Sequence, residues 1–211
     1  MQVRPAMQQE EALLPAETKQ RVLEGAAFVF TQDGYEGASM ARIAAHAGVS
    51  KGTLYNYFES KQALFVSYIE ESCSLKLARL FENLTETEDI ADTLHLLAER
   101  VLMLMLSQQG VDMYRLVVSI APKFPELAQT FFAAGAERGL AHMKAFLVRA
   151  DEAGKLAVPD PQFAAEQFFA LCQTRVCLRR RLNLSEDSPE MIEQVVRGAV
   201  KMFLDSYGPK P

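Results

Sequence analysis

The chain has 211 residues, of which 49% are hydrophobic and 23% are charged, a balance typical of a soluble globular protein. Its formal net charge of −5 argues against a nucleic-acid partner on bulk charge alone, although phosphate is bound by local patches rather than by net charge. The three cysteines, at positions 73, 172 and 177, are too few for a disulfide framework.

The sequence shows no targeting or spanning segment. The N-terminal stretch lacks the apolar core of a secretory signal. The most apolar window, residues 101–111, is far shorter than the roughly 18 to 20 residues of a spanning helix. We therefore expect a cytoplasmic protein without a membrane partner.

The first half of the chain reads as four helices, and the alternating runs typical of strands are missing. The first helix is predicted from Ala16 to Asp33, with Pro15 near its start and Gly34 as a left-handed cap. Three serines then stand at N-cap positions, namely Ser39, Ser50 and Ser60. The helices that they open are predicted over residues 40–47, 51–58 and 61–83.

Five more helices follow. Thr85–Glu88 fits a capping box, and both Asp160–Pro161 and Ser188–Pro189 combine an N-cap residue with proline at the first helical position. The predicted spans are about 85–107, 111–121, 125–153, 161–181 and 189–206. The fold class is therefore all-α, with about nine helices.

The segments 40–47 and 51–58 fit a helix-turn-helix, because the turn between them is three residues long and contains Gly48. On the second of these helices, Leu54 and Phe58 are spaced i, i+4 and are expected to face the core. That spacing leaves the other side of the helix to solvent. The residues expected there, at least in part, are Lys51, Gly52, Thr53, Tyr55, Asn56 and Tyr57.

The side chains on this outer face suit a DNA duplex. Lys51 and Thr53 can read base edges in the major groove, and Gly52, at a cost of roughly 1 kcal/mol of helix propensity, lets the backbone come close. Tyr55 and Tyr57 carry hydroxyls on rigid arms that can reach phosphates.

Other interpretations of the same residues stay open. Asn56 suits either a base edge or a phosphate. Gly52 can also be explained by position alone, because the second residue of a helix tolerates glycine. Tyr57 is also typical of a core residue whose hydroxyl reaches solvent. Arg42 and Lys61 can equally be ordinary solvated charges.

The motifs in this region resemble the N-terminal DNA-binding domain of the TetR/AcrR family of transcriptional repressors, over about residues 16–65. They are Gly34-Tyr35, Ser39-Met40, Ile43-Ala44, Ala47-Gly-Val-Ser50, Gly52-Thr-Leu-Tyr55, Tyr57-Phe58 and Ser60-Lys61. The resemblance implies an all-helical homodimer whose C-terminal domain responds to a ligand and dimerises through its last two helices. The DNA contacts that it implies are Ser39, Arg42, Ser50, Lys51, Gly52, Thr53, Tyr55, Tyr57 and Lys61, and we add Asn56, where relatives often have histidine.

The rest of the chain resembles an AefR-like C-terminal domain more weakly, through Tyr114–Val118, Pro122–Leu127 and Phe131-Phe132. We therefore expect three parts in the chain. Residues 1–14 are expected to form a flexible tail, with an arm that reaches a DNA groove through Arg4 as the alternative. Residues 15–62 form the helix-turn-helix domain, and residues 63–211 form the ligand-binding and dimerisation domain.

Methionines and aromatic residues accumulate beyond residue 63, where they suit a pocket for an apolar or amphipathic effector. For each one, an ordinary core position is the alternative, and His95 and Arg115 can equally lie on the surface. The candidate ligand-binding residues are His95, Met103, Met113, Arg115, Phe132 and Phe169.

The last two predicted helices carry apolar stripes wide enough to be shared with a second subunit in a four-helix bundle. The expected dimer residues are Phe168, Val176, Val195, Val196, Ala199, Met202 and Phe203. The run Arg179–Arg181 suits a helix C-terminus, with a nucleic-acid patch as the alternative. The histidines are scattered, so we expect no metal site and no cofactor.

These features favour a repressor that a small, mostly apolar effector releases from a palindromic operator on double-stranded DNA, with the helix from Lys61 as the lever. A helical enzyme or carrier for apolar metabolites is an alternative, although no convincing catalytic residues are found. An architectural DNA-binding protein without an effector is another.

Overall fold

The computed structural model describes residues 6–82, 89–184 and 188–209, and it is helical throughout, without a strand in these ranges. The helices, in chain order, are α1 (Ala6–Gly37), α2 (Met40–Ala47), α3 (Lys51–Tyr57), α4 (Lys61–Phe81), α5 (Ile90–Leu106), α6 (Gln108–Ile120), α7 (Pro125–Phe131), α8 (Arg138–Glu152), α9 (Pro161–Cys172), α10 (Val176–Arg181) and α11 (Pro189–Tyr207). A π-helical segment, Phe132–Glu137, joins α7 to α8 without a break. The predicted all-α class is confirmed.

The largest differences from the sequence prediction are a break in one predicted helix and an earlier start of the first. The single helix predicted over 161–181 is wrong, because it breaks into α9 and α10 at Arg175, whose φ of 63° interrupts the helical path. Neither glycine nor proline marks this break in the sequence. The first helix begins at Ala6 rather than Ala16 and passes through Pro15. The predicted capping box over 85–88 lies outside the described residues.

The predicted serine caps are confirmed. The hydroxyl oxygens of Ser39, Ser50 and Ser60 accept the backbone N–H groups of Arg42, Thr53 and Ala63 at 3.3, 3.0 and 3.1 Å. Each bond satisfies one of the amides that the first turn of a helix leaves without a partner. Local sequence alone therefore places the starts of α2, α3 and α4.

Gly34 lies at a bend inside α1 rather than at a simple left-handed cap. Its φ of 70° and ψ of 172° fall in a region that is essentially restricted to glycine. The helix resumes for one turn to Gly37, and this turn leads directly into the Ser39 cap of α2. Gly34 thus sets the direction in which the chain enters the helix-turn-helix.

The buried apolar side chains form two clusters. The first, the head cluster, contains buried residues of α1–α3 and the first half of α4 together with Met113, Leu116, Val117, Ile120, Leu127 and Ala134. The second, the body cluster, contains buried residues of α5, α8, α9, α10 and α11 together with Leu80, Leu156 and Val158. The head cluster is therefore completed by residues far along the chain, on α6, α7 and the π segment, where α6 packs against α1 and α7 against α4.

Helix α4 belongs to both clusters. Its residues Leu64, Phe65, Ile69 and Cys73 lie in the head cluster, whereas Leu80, near its C-terminal end, lies in the body cluster. The stretch of α4 between Cys73 and Leu80 therefore spans the boundary between two separately packed cores.

Candidate functional site

The helix-turn-helix is built from α2, a tight turn and α3. The inward face of α2 is buried as its period predicts, and Gly48 ends the helix in the left-handed conformation, at φ 65° and ψ 34°. The guanidinium of Arg21 on α1 donates to the carbonyls of Ala47 and Gly48 at 3.2 and 3.1 Å, so it holds the turn against α1. The sequence did not reveal this role of Arg21.

Helix α3 has one anchored side and one open side. Leu54 is fully buried and Phe58 is buried beside it, as the i, i+4 spacing predicts. On the opposite side, the phenol of Tyr55 is 52% exposed. Lys51, Gly52 and Asn56 are also exposed, whereas Thr53 and Tyr57 are half-buried. A short helix with a free polar face and a fixed apolar face can be presented to another molecule without unfolding.

Four of the candidate DNA contacts also hold the local structure together. The hydroxyls of Ser50 and Thr53 lie 2.8 Å apart, and both Ser39 and Ser50 cap helices. Arg42 Nη1 lies 2.8 Å from the carboxylate of Asp33 on α1, which makes an ion pair at the rim of the head. These groups are therefore preorganised at the surface.

Lys61 is bound to its own subunit. Its ammonium donates to the carbonyls of Tyr35, Glu36 and Ala38 at 2.7, 3.3 and 2.9 Å, and it lies 4.7 Å from the centre of the Tyr35 ring. An ammonium has three donors, and all three are used here. Lys61 therefore fastens the start of α4 to the end of α1, and its contact with phosphate stays a prediction.

A cavity of about 470 Å³ lies at the boundary between the head and body clusters. Its volume falls in the range of about 300–1,000 Å³ that is usual for small-molecule sites. The predicted residues Met113, Phe132 and Phe169 line it. The π segment contributes Phe132, Gly135 and Ala136 to the wall, and such segments often occur at functional sites.

The cavity also has polar lining residues that the sequence interpretation missed: Lys76, Tyr114, Glu166, Gln173 and Arg181. The guanidinium of Arg181 stacks on the Tyr114 ring at 3.9 Å and donates to the side chain of Gln173 at 3.1 Å. The last residue of the arginine run therefore faces a cavity. The sequence had suggested only that this run interacts with the helix dipole or binds nucleic acid.

The other three predicted ligand-binding residues do not line the cavity. Met103 is 64% exposed on the outer side of α5. Arg115 donates to the carbonyls of Arg180 and Arg181 at 3.0 and 2.9 Å, so it caps the C-terminal end of α10. His95 lies 3.6 Å from Glu99, one turn further along α5. Their part in ligand binding stays a prediction. The sequence could not show that they lie outside this cavity, because residues far apart in the chain decide which way each helix face points.

The scattered histidines of the sequence suggested that none of them lies near other possible metal ligands. His95, however, lies close to two carboxylates. Its ring, Glu99 and Glu193 of α11 bring their potential ligand atoms within 4.8 Å of one another. The carboxylate of Glu193 is paired with Arg197 at 3.2 Å, and the cluster is partly exposed. The arrangement brings polar groups of α5 and α11 close to each other.

The predicted dimer residues are buried within the single subunit, with one exception. Phe168, Val176, Val195, Val196, Ala199 and Phe203 all belong to the body cluster, where residues of the same subunit cover them, and their part in a dimer contact stays a prediction. The apolar stripes are wide because α5 and α9 cover α11 within the subunit. Met202 is 58% exposed and lies on the open side of α11.

The three cysteines are buried and make no disulfide. Burial raises the pKa of the Cys172 thiol to about 12, so this thiol stays protonated at neutral pH. Among the described residues, no helix is both long and apolar enough to cross a bilayer.

Two family models match the chain. Residues 22–68 match "Bacterial regulatory proteins, tetR family", and residues 92–209 match "AefR-like transcriptional repressor, C-terminal domain". Both describe transcriptional regulators rather than enzymes. The first match contains all of α2 and α3, and the second contains most of the cavity wall.

Relatives agree with these matches. The transcriptional repressor AcnR of Corynebacterium efficiens is 35% identical over 72 residues, which are 34% of this chain and 36% of that protein. The match thus spans only about a third of that relative's length.

Solved structures resemble the whole chain. A TetR-family regulator from Mesorhizobium loti has a TM-score of 0.85 at 25% identity, over 92% of this chain and 98% of its own. The flavonoid-responsive regulator FrrA has a TM-score of 0.80 at 33% identity, over 93% of this chain and 100% of its own.

Proposed function

We propose that this chain, which belongs to the TetR family of bacterial regulatory proteins, is a repressor that acts as a homodimer in the cytoplasm and leaves its operator when a small effector binds. The observation that carries the proposal is the disposition of α3, whose apolar side is anchored in the head cluster while Lys51, Tyr55 and Asn56 remain open to solvent.

The DNA contacts divide by chemistry. Lys51 and Thr53, in the first turn of α3, suit base edges in the major groove, and Gly52 between them lets the backbone approach. Tyr55 and Tyr57 suit phosphate oxygens. Ser39, Arg42 and Ser50 lie at the starts of α2 and α3 and suit the flanking backbone, and Asn56 suits a base edge or a phosphate. Lys61 supports this surface indirectly, because its ammonium is bound by carbonyls at the end of α1 and so holds the start of α4 in place.

The effector site is the cavity at the boundary of the two clusters. Its apolar wall suits a mostly apolar molecule, with Met113, Phe132 and Phe169 against the effector. The name of FrrA says that this relative responds to flavonoids, which are ring systems with polar substituents, and a cavity with both apolar and polar walls is compatible with such a ligand.

Helix α4 is proposed to transmit the signal. Cys73, Lys76, Leu77 and Leu80 on α4 all line the cavity, while the N-terminal end of the same helix is fixed to α1 by Lys61. An effector that favours a wider cavity therefore shifts the head cluster against the body cluster. Such a ligand acts only through a difference in affinity for the two arrangements.

The proposed dimer contact is the open side of α9 and α11. A groove there is lined by Ala170, Leu171, Thr174, Met202 and Ser206, among others. A second copy that seats α9 and α11 on this groove makes a four-helix bundle with two-fold symmetry. Residues 15–62 would then bind DNA, and residues 63–211 would bind the effector and the partner.

The proposal is tested by selecting duplexes from a random pool with the purified protein. We expect enrichment of a two-fold symmetric sequence whose half-sites are about 34–36 Å apart, one turn of duplex. Thr53→Ala should relax base preference at one position of each half-site, while Tyr55→Phe should weaken binding to every sequence alike. A selected pool without any shared sequence would contradict the proposal and favour an architectural binder.

A further inference from the structure

Lys76 places a cationic group on the wall of an otherwise mainly apolar cavity. It projects from α4 between Cys73 and Leu77, which line the same cavity, and its side chain is half-buried. The position lies on the stretch of α4 that spans the head and body clusters. A ligand bound to this lysine would therefore touch the segment that links the cavity to the DNA-binding head.

Within the described ranges, no carboxylate lies within ion-pair distance of the Lys76 ammonium, and no hydrogen bond to it is formed. Glu166 also lines the cavity, but its carboxylate accepts a hydrogen bond from Gln162 at 3.0 Å. Burial raises the pKa of the Cys73 thiol and outweighs the opposite effect of Lys76 and Arg138. The neighbouring thiol is therefore neutral and supplies no counter-charge.

Desolvation is costly for an ammonium without a counter-charge, and burial accordingly lowers the pKa of Lys76. The other cation of the cavity, Arg181, differs because Gln173 and the Tyr114 ring already occupy its guanidinium. Lys76 is thus the cavity group with the most to gain from an anion.

We propose that the effector is an apolar organic acid, and that its acidic group binds the ammonium of Lys76 while its apolar body lies against Phe132 and Phe169. This inference rests on the proposed function, since it names the ligand class of the same cavity. A neutral ligand of the same shape would fill the apolar part but leave the ammonium without a partner.

The test uses pairs of ligands that differ only in the head group, such as decanoate with decanol and 3-phenylpropanoate with 3-phenylpropanol. Binding to the full-length protein is measured by calorimetry, and release of the selected duplex by fluorescence anisotropy. Charged hydrogen bonds of this kind correspond to a preference of at least about tenfold. We expect the acid of at least one pair to bind about tenfold more tightly than its alcohol and to release the duplex.

Three variants locate the effect. Lys76→Gln should remove the preference for the acid, Lys76→Arg should retain most of it, and Lys144→Gln, at an exposed lysine on α8, should behave as the wild type. The unfolding temperature of Lys76→Gln should be no lower than that of the wild type, because the change removes a desolvated charge.

The inference is overturned if acids and alcohols bind equally, if only the alcohols bind, if no acid binds, or if the preference survives in Lys76→Gln. In each of these cases, sequence-specific duplex binding in the absence of ligand would leave the repressor proposal standing. Loss of duplex binding by the wild type without ligand would contradict the repressor proposal itself.

Discussion

Lys123 Nζ lies 2.7 Å from the Oε2 atom of Glu36, and this ion pair joins the segment before α7 to the last turn of α1. Beside it, the rings of Tyr35 and Phe124 meet edge-on, with their centres 5.0 Å apart. The end of α1 leads into the helix-turn-helix, so these two contacts tie the DNA-binding head to the helices that complete its core.

The Glu36–Lys123 pair should contribute little to stability, because both side chains are more than half exposed. We expect Glu36→Lys and Lys123→Glu each to lower the free energy of unfolding by about 1 kcal/mol or less, and the double variant to recover part of the loss. Chemical denaturation of all four proteins measures the coupling. A double variant as unstable as the sum of the two single changes would show that the pair contributes nothing.

Gly25 should not tolerate a methyl group. A Cβ there would lie 3.0 Å from the Cβ of Ala47 and 3.1 Å from its backbone nitrogen, so α1 and α2 would have to separate. We expect Gly25→Ala to lower the free energy of unfolding by about 1–3 kcal/mol.

The matched control is Gly52→Ala on α3, where a Cβ meets nothing closer than 3.7 Å. This change should raise stability by about 0.5–1 kcal/mol while weakening duplex binding, because the methyl group stands where the backbone approaches DNA. Thermal unfolding and anisotropy titrations separate the two effects. A Gly25→Ala protein that unfolds like the wild type would contradict the close approach of α1 and α2.

Two lysines near the DNA-binding surface should behave differently. Lys61→Gln removes bonds to three carbonyls and should destabilise the protein by about 1–3 kcal/mol, with an unchanged salt dependence of duplex binding. Lys51→Gln should leave stability unchanged and relax the base preference at one position of each half-site, which selection from a random duplex pool measures. A Lys61→Gln protein with unchanged stability and a salt slope reduced by about 1 would show that Lys61 contacts phosphate instead.

Met202 should be needed for dimerisation. Met202→Glu places a charge on the proposed contact side of α11, and we expect a monomer in light scattering with duplex binding weakened by more than about tenfold. Met103→Glu is the matched control, since Met103 is similarly exposed, at 64% against 58%, but lies on α5. If both variants remain dimers, the partner occupies another surface.

The parts of the fold that depend on residues close together in the sequence could be predicted from it. Ser39, Ser50 and Ser60 open helices because an N-cap bond reaches only three residues ahead. The burial of Leu54 and Phe58 follows from their spacing on one helix face. The open face of α3 was therefore accessible to sequence reasoning as well.

Contacts between distant residues were not accessible in the same way. Arg115 caps the end of α10, which lies 65 residues later in the chain, and no local sequence pattern predicts such a bond. Lys76 was overlooked because apolar and aromatic residues were taken as the mark of the pocket, and a single lysine on α4 looks like any solvated charge. The break at Arg175 was missed because tertiary packing of α10 against α5 and α6 overrides an otherwise continuous helical pattern.

The membership of Met113, Leu116, Ile120 and Leu127 in the head cluster has a practical consequence for protein engineering. A chimera that transplants only α1–α3 and the beginning of α4 onto another regulator would lose the buried residues that α6, α7 and the π segment supply to that core. The graft would have to include α6 and α7, or their contact residues would have to be redesigned, for the transplanted helix-turn-helix domain to fold as it does here. Exchange of recognition modules between such regulators is therefore constrained by packing partners that lie outside the exchanged sequence.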